Sequence, residues 1–248
     1  MDSLQSNVSA AVFDADLASR HLAVVPPAAP PRPSVETLVP GSLTQQRMDD
    51  LDAVVVTKTV PGFTPETVEK LRALIRDAAA GRLGPLKFIV FDFAHEGEAG
   101  LANSEDFKDL VSEAANLILQ APVVLVANAR GAMAGADLDF ALASSMLIAE
   151  ADATFSFGAD PVISMDTYGF LAQKLGFVRA ERLMESSEVL GAAQMHELLL
   201  LKQIADAGAG LDGVRQFLTR TAKRYNSCYG IYRAHRMAAP TMREALRA

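Results

Sequence analysis

Lys87-Phe-Ile-Val-Phe-Asp-Phe93 is apolar at nearly every position, and this constrains the chain more than any other feature. A strand with one wet face alternates apolar and polar residues, whereas a near-continuous apolar run marks burial on both faces. Two further segments read as strands: Ala53-Val-Val-Val-Thr-Lys-Thr59, which is β-branched, and Pro122-Val-Val-Leu-Val-Ala-Asn128. Helical spacing fills the intervals. Thr64 precedes Pro65, with Glu66 and Glu69 in the first turn, which fits an N-cap followed by proline at the first helical position. Val68, Leu71, Leu74 and Ile75 carry that helix on until Gly81 and Gly84 end it. A second helix over about 104–119 sets Phe107, Leu110, Val111, Ala114 and Leu117 on one face. Strand–helix alternation of this kind predicts an α/β fold.

The sequence places the start of ordered structure near Leu51. Val25-Pro-Pro-Ala-Ala-Pro-Pro-Arg-Pro33 holds five of the twelve prolines, and proline fixes φ and removes a donor. Residues 1–40 therefore read as a disordered Pro/Ala-rich tail, 41–190 as the core and 191–248 as a C-terminal helical region. Within the core, 95–100 is a polar loop and 131–135 a loop of small residues. A short buried helix is expected over 136–145, with strands at 146–149 and 153–157. Helices then follow at 169–176, 178–186, 192–199 and about 211–236.

Half of the 248 residues are hydrophobic, enough for one sizeable core, and 21 % are charged, which argues against wholesale disorder. The net charge of −7 is unevenly spread. Residues 1–208 hold 15 Lys and Arg against 28 Asp and Glu, while residues 209–248 hold 8 against 2. An acidic body without tryptophan is not a general nucleic-acid binder. The basic C-terminal segment suits a phosphate or an acidic neighbour. The single Cys228 excludes an internal disulfide framework and a cysteine-based zinc site. No apolar run reaches the roughly 20 residues of a membrane span, and the N-terminus lacks the pattern of a secretory signal. A cytoplasmic protein is the expectation.

The stretch from 122 into the helix at 136 is the most informative. Gly131, Ala132, Ala134, Gly135 and Ala136 would let a ligand approach the backbone, and the first N–H groups of a helix are unpaired donors. Such donors bind phosphate or stabilise an oxyanion. Tight strand–helix packing accounts for the same residues. The stretch is neither G-x-G-x-x-G nor G-x-x-x-x-G-K-[ST].

Ala121-Pro-Val-Val-Leu-Val-Ala-Asn-Ala-Arg-Gly-Ala-Met-Ala-Gly-Ala-Asp-Leu-Asp-Phe140, followed by Ala149, Ala153 and Phe155, resembles the enoyl-CoA hydratase/isomerase (crotonase) superfamily without a gap. Phe63-Thr-Pro-Glu66 and the 204–236 region are most similar to the branch that makes diffusible unsaturated fatty-acid signals, the diffusible-signal-factor synthases. The resemblance implies a spiral of strand–strand–helix units with C-terminal helices. It implies an acyl-CoA or acyl-carrier thioester as ligand, with coenzyme A as carrier and no other cofactor, and a homo-trimer or hexamer. Its oxyanion hole, two backbone N–H groups that polarise a thioester carbonyl as it becomes an enolate, falls on Leu101 and Ala136. Ala136 stands where the family has glycine but retains the N–H.

The carboxylates depart from the family. Its two catalytic glutamates, which move protons and activate water, align with Asp139 and with Ala159, beside which stands Asp160. Asp139 and Asp160 are thus the acid/base candidates. Asp137 replaces a family glycine and brings a negative charge to where the thioester would lie; it also reads as an ordinary acid at a helix N-terminus. Asp166 is a further loop acid. Ser144 and Ser145 lack a histidine in the following unit, so a serine peptidase is disfavoured. Of the histidines, His95 lies near Leu101, His21 in the tail and His196 in a helix. The resemblance and the retained small-residue loop imply, as the leading reading, an acyl-CoA or acyl-thioester enzyme of the enoyl-CoA hydratase/isomerase type; the altered glutamates keep a rival open, a noncatalytic relative acting as a binding or regulatory subunit.

Overall fold

Alternate residues of the central strands enter opposite cores, which is why those strands read as near-continuous apolar runs. A computed structural model describes residues 34–94, 105–157, 165–186 and 188–238. In it β3 (Ala53–Lys58), β4 (Phe88–Phe93), β5 (Val124–Ala129) and β7 (Met146–Glu150) lie side by side and parallel. Val54, Val56, Ile89, Phe91 and Leu125 enter one core. Ala53, Val55, Phe88, Val90 and Val124 enter the other. Every residue of β4 and β5 is buried.

The sheet has seven strands. β1 (Val35–Val39) and β2 (Leu43–Met48) add antiparallel on the β3 side, and β10 (Gln203–Ala205) adds parallel to β7. A second sheet of three short strands joins β6 (Ala132–Ala134) parallel to β8 (Thr154–Ser156), and β8 antiparallel to β9 (Val189–Gly191). The first core is closed by α1 (Pro65–Ala79), α2 (Glu105–Gln120), α3 (Gly135–Ala143), α4 (Met165–Leu175), α5 (Phe177–Ser186) and α6 (Ala192–Glu197). The second is closed by α7 (Gly210–Ala222) and α8 (Tyr225–Ala238) through Val214, Phe217, Leu218 and Tyr225.

The N-cap reading of α1 holds. Thr64 Oγ1 accepts from the Thr67 N–H at 3.2 Å, and Thr67 Oγ1 accepts from the Thr64 N–H at 2.8 Å. Elsewhere the structure corrects the sequence reading. Ordered structure precedes Leu51, because β1 and β2 form a hairpin that begins inside the segment read as tail. β1 forms the sheet edge, and of its neighbour β2 only Leu43 and Met48 are buried, so the hairpin leaves little hydrophobic pattern. The 131–135 loop contains β6. The helix expected over 211–236 is two, broken at Lys223-Arg224. The break lets Tyr225 turn into the second core, edge-on to Phe88 at 5.3 Å between ring centroids, with its hydroxyl donating to the Pro122 carbonyl.

Candidate functional site

Gly135 leaves β6 with a φ of +53°, a left-handed conformation that favours glycine, and the chain turns directly into α3. Ala136 through Ala143 are all buried. The first N–H groups of this helix have no intrahelical acceptor, and Ala134 at the N-cap supplies no side-chain oxygen.

Asp137 occupies this helix start and is wholly buried. Its Oδ2 accepts from the Gly62 N–H at 2.9 Å, and Lys58 Nζ lies 3.0 Å from its Oδ1. Lys58 ends β3, also donates to the Val60 carbonyl, and lies 4.9 Å from the ring centroid of Phe63. Burial lowers the Lys58 pKa from its ordinary 10.5, against the pull of the Asp137 carboxylate, which raises it. Aromatic rings fill the space alongside. Phe140 of α3 meets Phe91 at 4.4 Å and Phe63 at 5.7 Å, and Phe63 meets Phe107 at 4.8 Å. The cavity left between Lys58, Phe63, Asp92 and Phe93 is about 10 Å³, space for one water at most.

The structure brings two of the expected site residues together. Ala136 and Asp139 stand three apart on α3, on neighbouring turns of one face, and Asp139 is only 2 % exposed. Leu101, Ala159, Asp160, His21 and His95 lie outside the described residues, as do the side chains of Asp166 and His235. Ser144 follows the end of α3 rather than a helix start, and its hydroxyl donates back to the Phe140 carbonyl at 3.1 Å. His196 is exposed on α6. The charge of the basic C-terminal helices predicts a place for them beside this site or at a subunit interface. Within the chain, α7 packs on the sheet face opposite to α3, so its cations do not meet Asp137 or Asp139.

Sequence reasoning missed Lys58 and a second polar cluster. Asp92, wholly buried near the end of β4, accepts from Asn128 Nδ2 at 2.8 Å, Arg130 Nε at 2.9 Å, Arg130 Nη2 at 2.6 Å and Thr57 Oγ1 at 3.1 Å. Burial pushes the Asp92 carboxyl above its ordinary 3.8, against the Arg130 charge and these hydrogen bonds. Glu150 ends β7 and accepts from the Gly208 N–H at 3.0 Å and the Gly210 N–H at 2.6 Å, which fastens the start of α7 to the sheet. A signal was available. Lys58, Asp92, Asn128 and Glu150 are polar residues at or next to the C-terminal ends of otherwise apolar parallel strands, the end of such a sheet where sites are built.

No family model and no curated protein sequence matches the chain. Solved structures do. An enoyl-CoA hydratase from Geobacillus kaustophilus is similar over 87 % of this chain and 88 % of its own, with a TM-score of 0.67 at 14 % identity. A monofunctional enoyl-CoA isomerase from M. smegmatis is similar over 76 % of this chain and 95 % of its own, with a TM-score of 0.61 at 17 % identity. Pseudomonas aeruginosa DspI is similar over 85 % of this chain and 88 % of its own, with a TM-score of 0.62 at 20 % identity. The chain has the crotonase fold.

Proposed function

We propose that this chain is a noncatalytic crotonase-fold protein, a binding or regulatory subunit whose thioester site is closed by its own side chains. The observation that carries this reading is the buried pair of Lys58 and Asp137, 3.0 Å apart at the start of α3. The N–H groups at that helix start are the donors that would hold a thioester oxygen. A fixed carboxylate one residue beyond Ala136 opposes the negative charge that an enolate develops. Phe140, on the same helix, packs against Phe63, Phe91 and Phe93. The aligned catalytic glutamates are Asp139 and Ala159, so the pair that moves protons is also altered.

One observation favours the catalytic reading, an enoyl-CoA hydratase/isomerase-type enzyme acting on an acyl-CoA or acyl-carrier thioester. Asp139 is a carboxylate withdrawn from water three residues from the Ala136 N–H, and buried carboxylates are often functional. In that reading Leu101 and Ala136 hold the oxyanion, Asp139 moves the proton, Asp160 assists, and the chain assembles as a trimer or hexamer. Kinship with the diffusible-signal branch is a finer proposal, resting on Phe63-Thr-Pro-Glu66 and the 204–236 region. The deciding experiment offers crotonyl-CoA and longer enoyl thioesters to the wild type and to Asp139→Asn. The expected result is no turnover by either protein. Turnover by the wild type that disappears in Asp139→Asn would overturn the noncatalytic reading.

A further inference from the structure

An open cleft of about 860 Å³ lies between α6, β10, α7 and the first two turns of α8, a volume within the range of small-molecule sites. Met146, at the first residue of β7, and Lys202, just before β10, line it, so it sits at the N-terminal ends of these strands. Lys58 and Asp137 lie at the C-terminal end of β3. The cavity is therefore separate from the α3 site, and nothing said of it depends on whether that site is open.

Its lining has two chemical parts. Met146, Ile204, Phe217 and Tyr232 give an apolar floor, and Lys202, Arg220, Lys223 and Arg224 bring four cations to it. Among the described residues, no Asp or Glu lines it. Arg220 donates to Gln203, and among the described residues Lys202, Lys223 and Arg224 enter no ion pair. Elsewhere on the body, Arg47, Arg76, Arg82, Arg130 and Arg215 are each matched with a carboxylate. All four cations are exposed and stand beside the apolar floor, open to an incoming anion in a chain of net charge −7. A polyphosphate or nucleic acid would answer the cations and leave the floor unused. A neutral lipid would do the reverse.

We propose that this cavity binds an amphiphilic anion, a molecule with one carboxylate or phosphate head and an apolar body of fatty-chain type. The head meets Lys202, Lys223 and Arg224, and the chain lies on Ile204, Phe217 and Tyr232. The bend at Lys223-Arg224, which divides α7 from α8, brings the two cations to the cavity.

Cys228 lines the cavity and is the only cysteine of the chain, so its labelling by a small maleimide reports on this site alone. The probes are dodecanoate and dodecyl phosphate, kept below their micelle concentrations, with dodecanol and inorganic phosphate as controls. The expected result is labelling slowed about fivefold or more by either anionic amphiphile and by neither control. Lys223→Glu/Arg224→Glu, at two exposed positions, should raise the amphiphile concentration needed at least tenfold while circular dichroism stays unchanged. Lys202→Glu, on a different element, should act in the same direction. Equal protection by dodecanol, no protection by either anion, or protection indifferent to the charge reversals would overturn the proposal. So would protection that follows protein concentration without any amphiphile, which would assign the face to a second copy of the chain.

Discussion

Lys58 Nζ and Asp137 Oδ1 lie 3.0 Å apart, with both side chains out of water although 79 residues separate them in sequence. The pair joins the end of β3 to the first turn of α3.

A buried ion pair contributes little net stability while intact, but removing one partner leaves an uncompensated charge. Lys58→Met should therefore destabilise the protein by about 3–5 kcal/mol. Lys58→Met/Asp137→Asn should recover much of that loss, because the amide oxygen still accepts from Gly62 and no lone charge remains. Urea denaturation of both single variants and the double variant measures the coupling. Additive losses would mean that the two residues act independently.

Asp92 gives a pH signature. Its folded pKa lies above the unfolded 3.8, so the native state binds more protons between the two values. Its contribution to stability is fully present below 3.8 and is lost as pH rises through the folded pKa. The stability difference between wild type and Asp92→Asn should shift against the wild type across that window and level off above it. Denaturation midpoints at a series of pH values check this; a constant difference would contradict it.

Gly210 has a φ of +53°, and a β-carbon there would stand 3.3 Å from Arg130 Nη1. Its N–H also reaches Glu150 at 2.6 Å. Gly210→Ala should cost about 1–2 kcal/mol from backbone strain alone, and more if Arg130 is displaced from Asp92. Thermal unfolding beside Ala209→Gly as a neighbouring control would show whether the loss is specific.

The legible parts of the fold were those written into local pattern. β4 and β5 are buried on both faces, so each is an apolar run broken only by Asp92 or Asn128, and α1 carries its cap at Thr64-Pro65. β6, β9 and β10 have three residues each, too few for a period to register. The hairpin of β1 and β2 is polar because it forms the sheet edge. Lys223-Arg224 are good helix formers, and only the seating of Tyr225 against Phe88 and Pro122 explains the break there. At the site, the burial of Asp137 and Asp139 followed from the apolar helix around them. The partner of Asp137 did not, because Lys58 is distant in sequence and ends a strand that carries no other charge.

The central claim is that the pair of Lys58 and Asp137 closes the start of α3 to a thioester. Isothermal titration of crotonyl-CoA and decenoyl-CoA into the wild type and into Lys58→Met/Asp137→Gly tests this most directly, because the double variant removes both charges and restores the glycine. The account predicts no saturable binding to the wild type at this site and a gain in affinity of at least tenfold on opening. Equal, saturable binding to the wild type and the double variant, lost in neither, would contradict it.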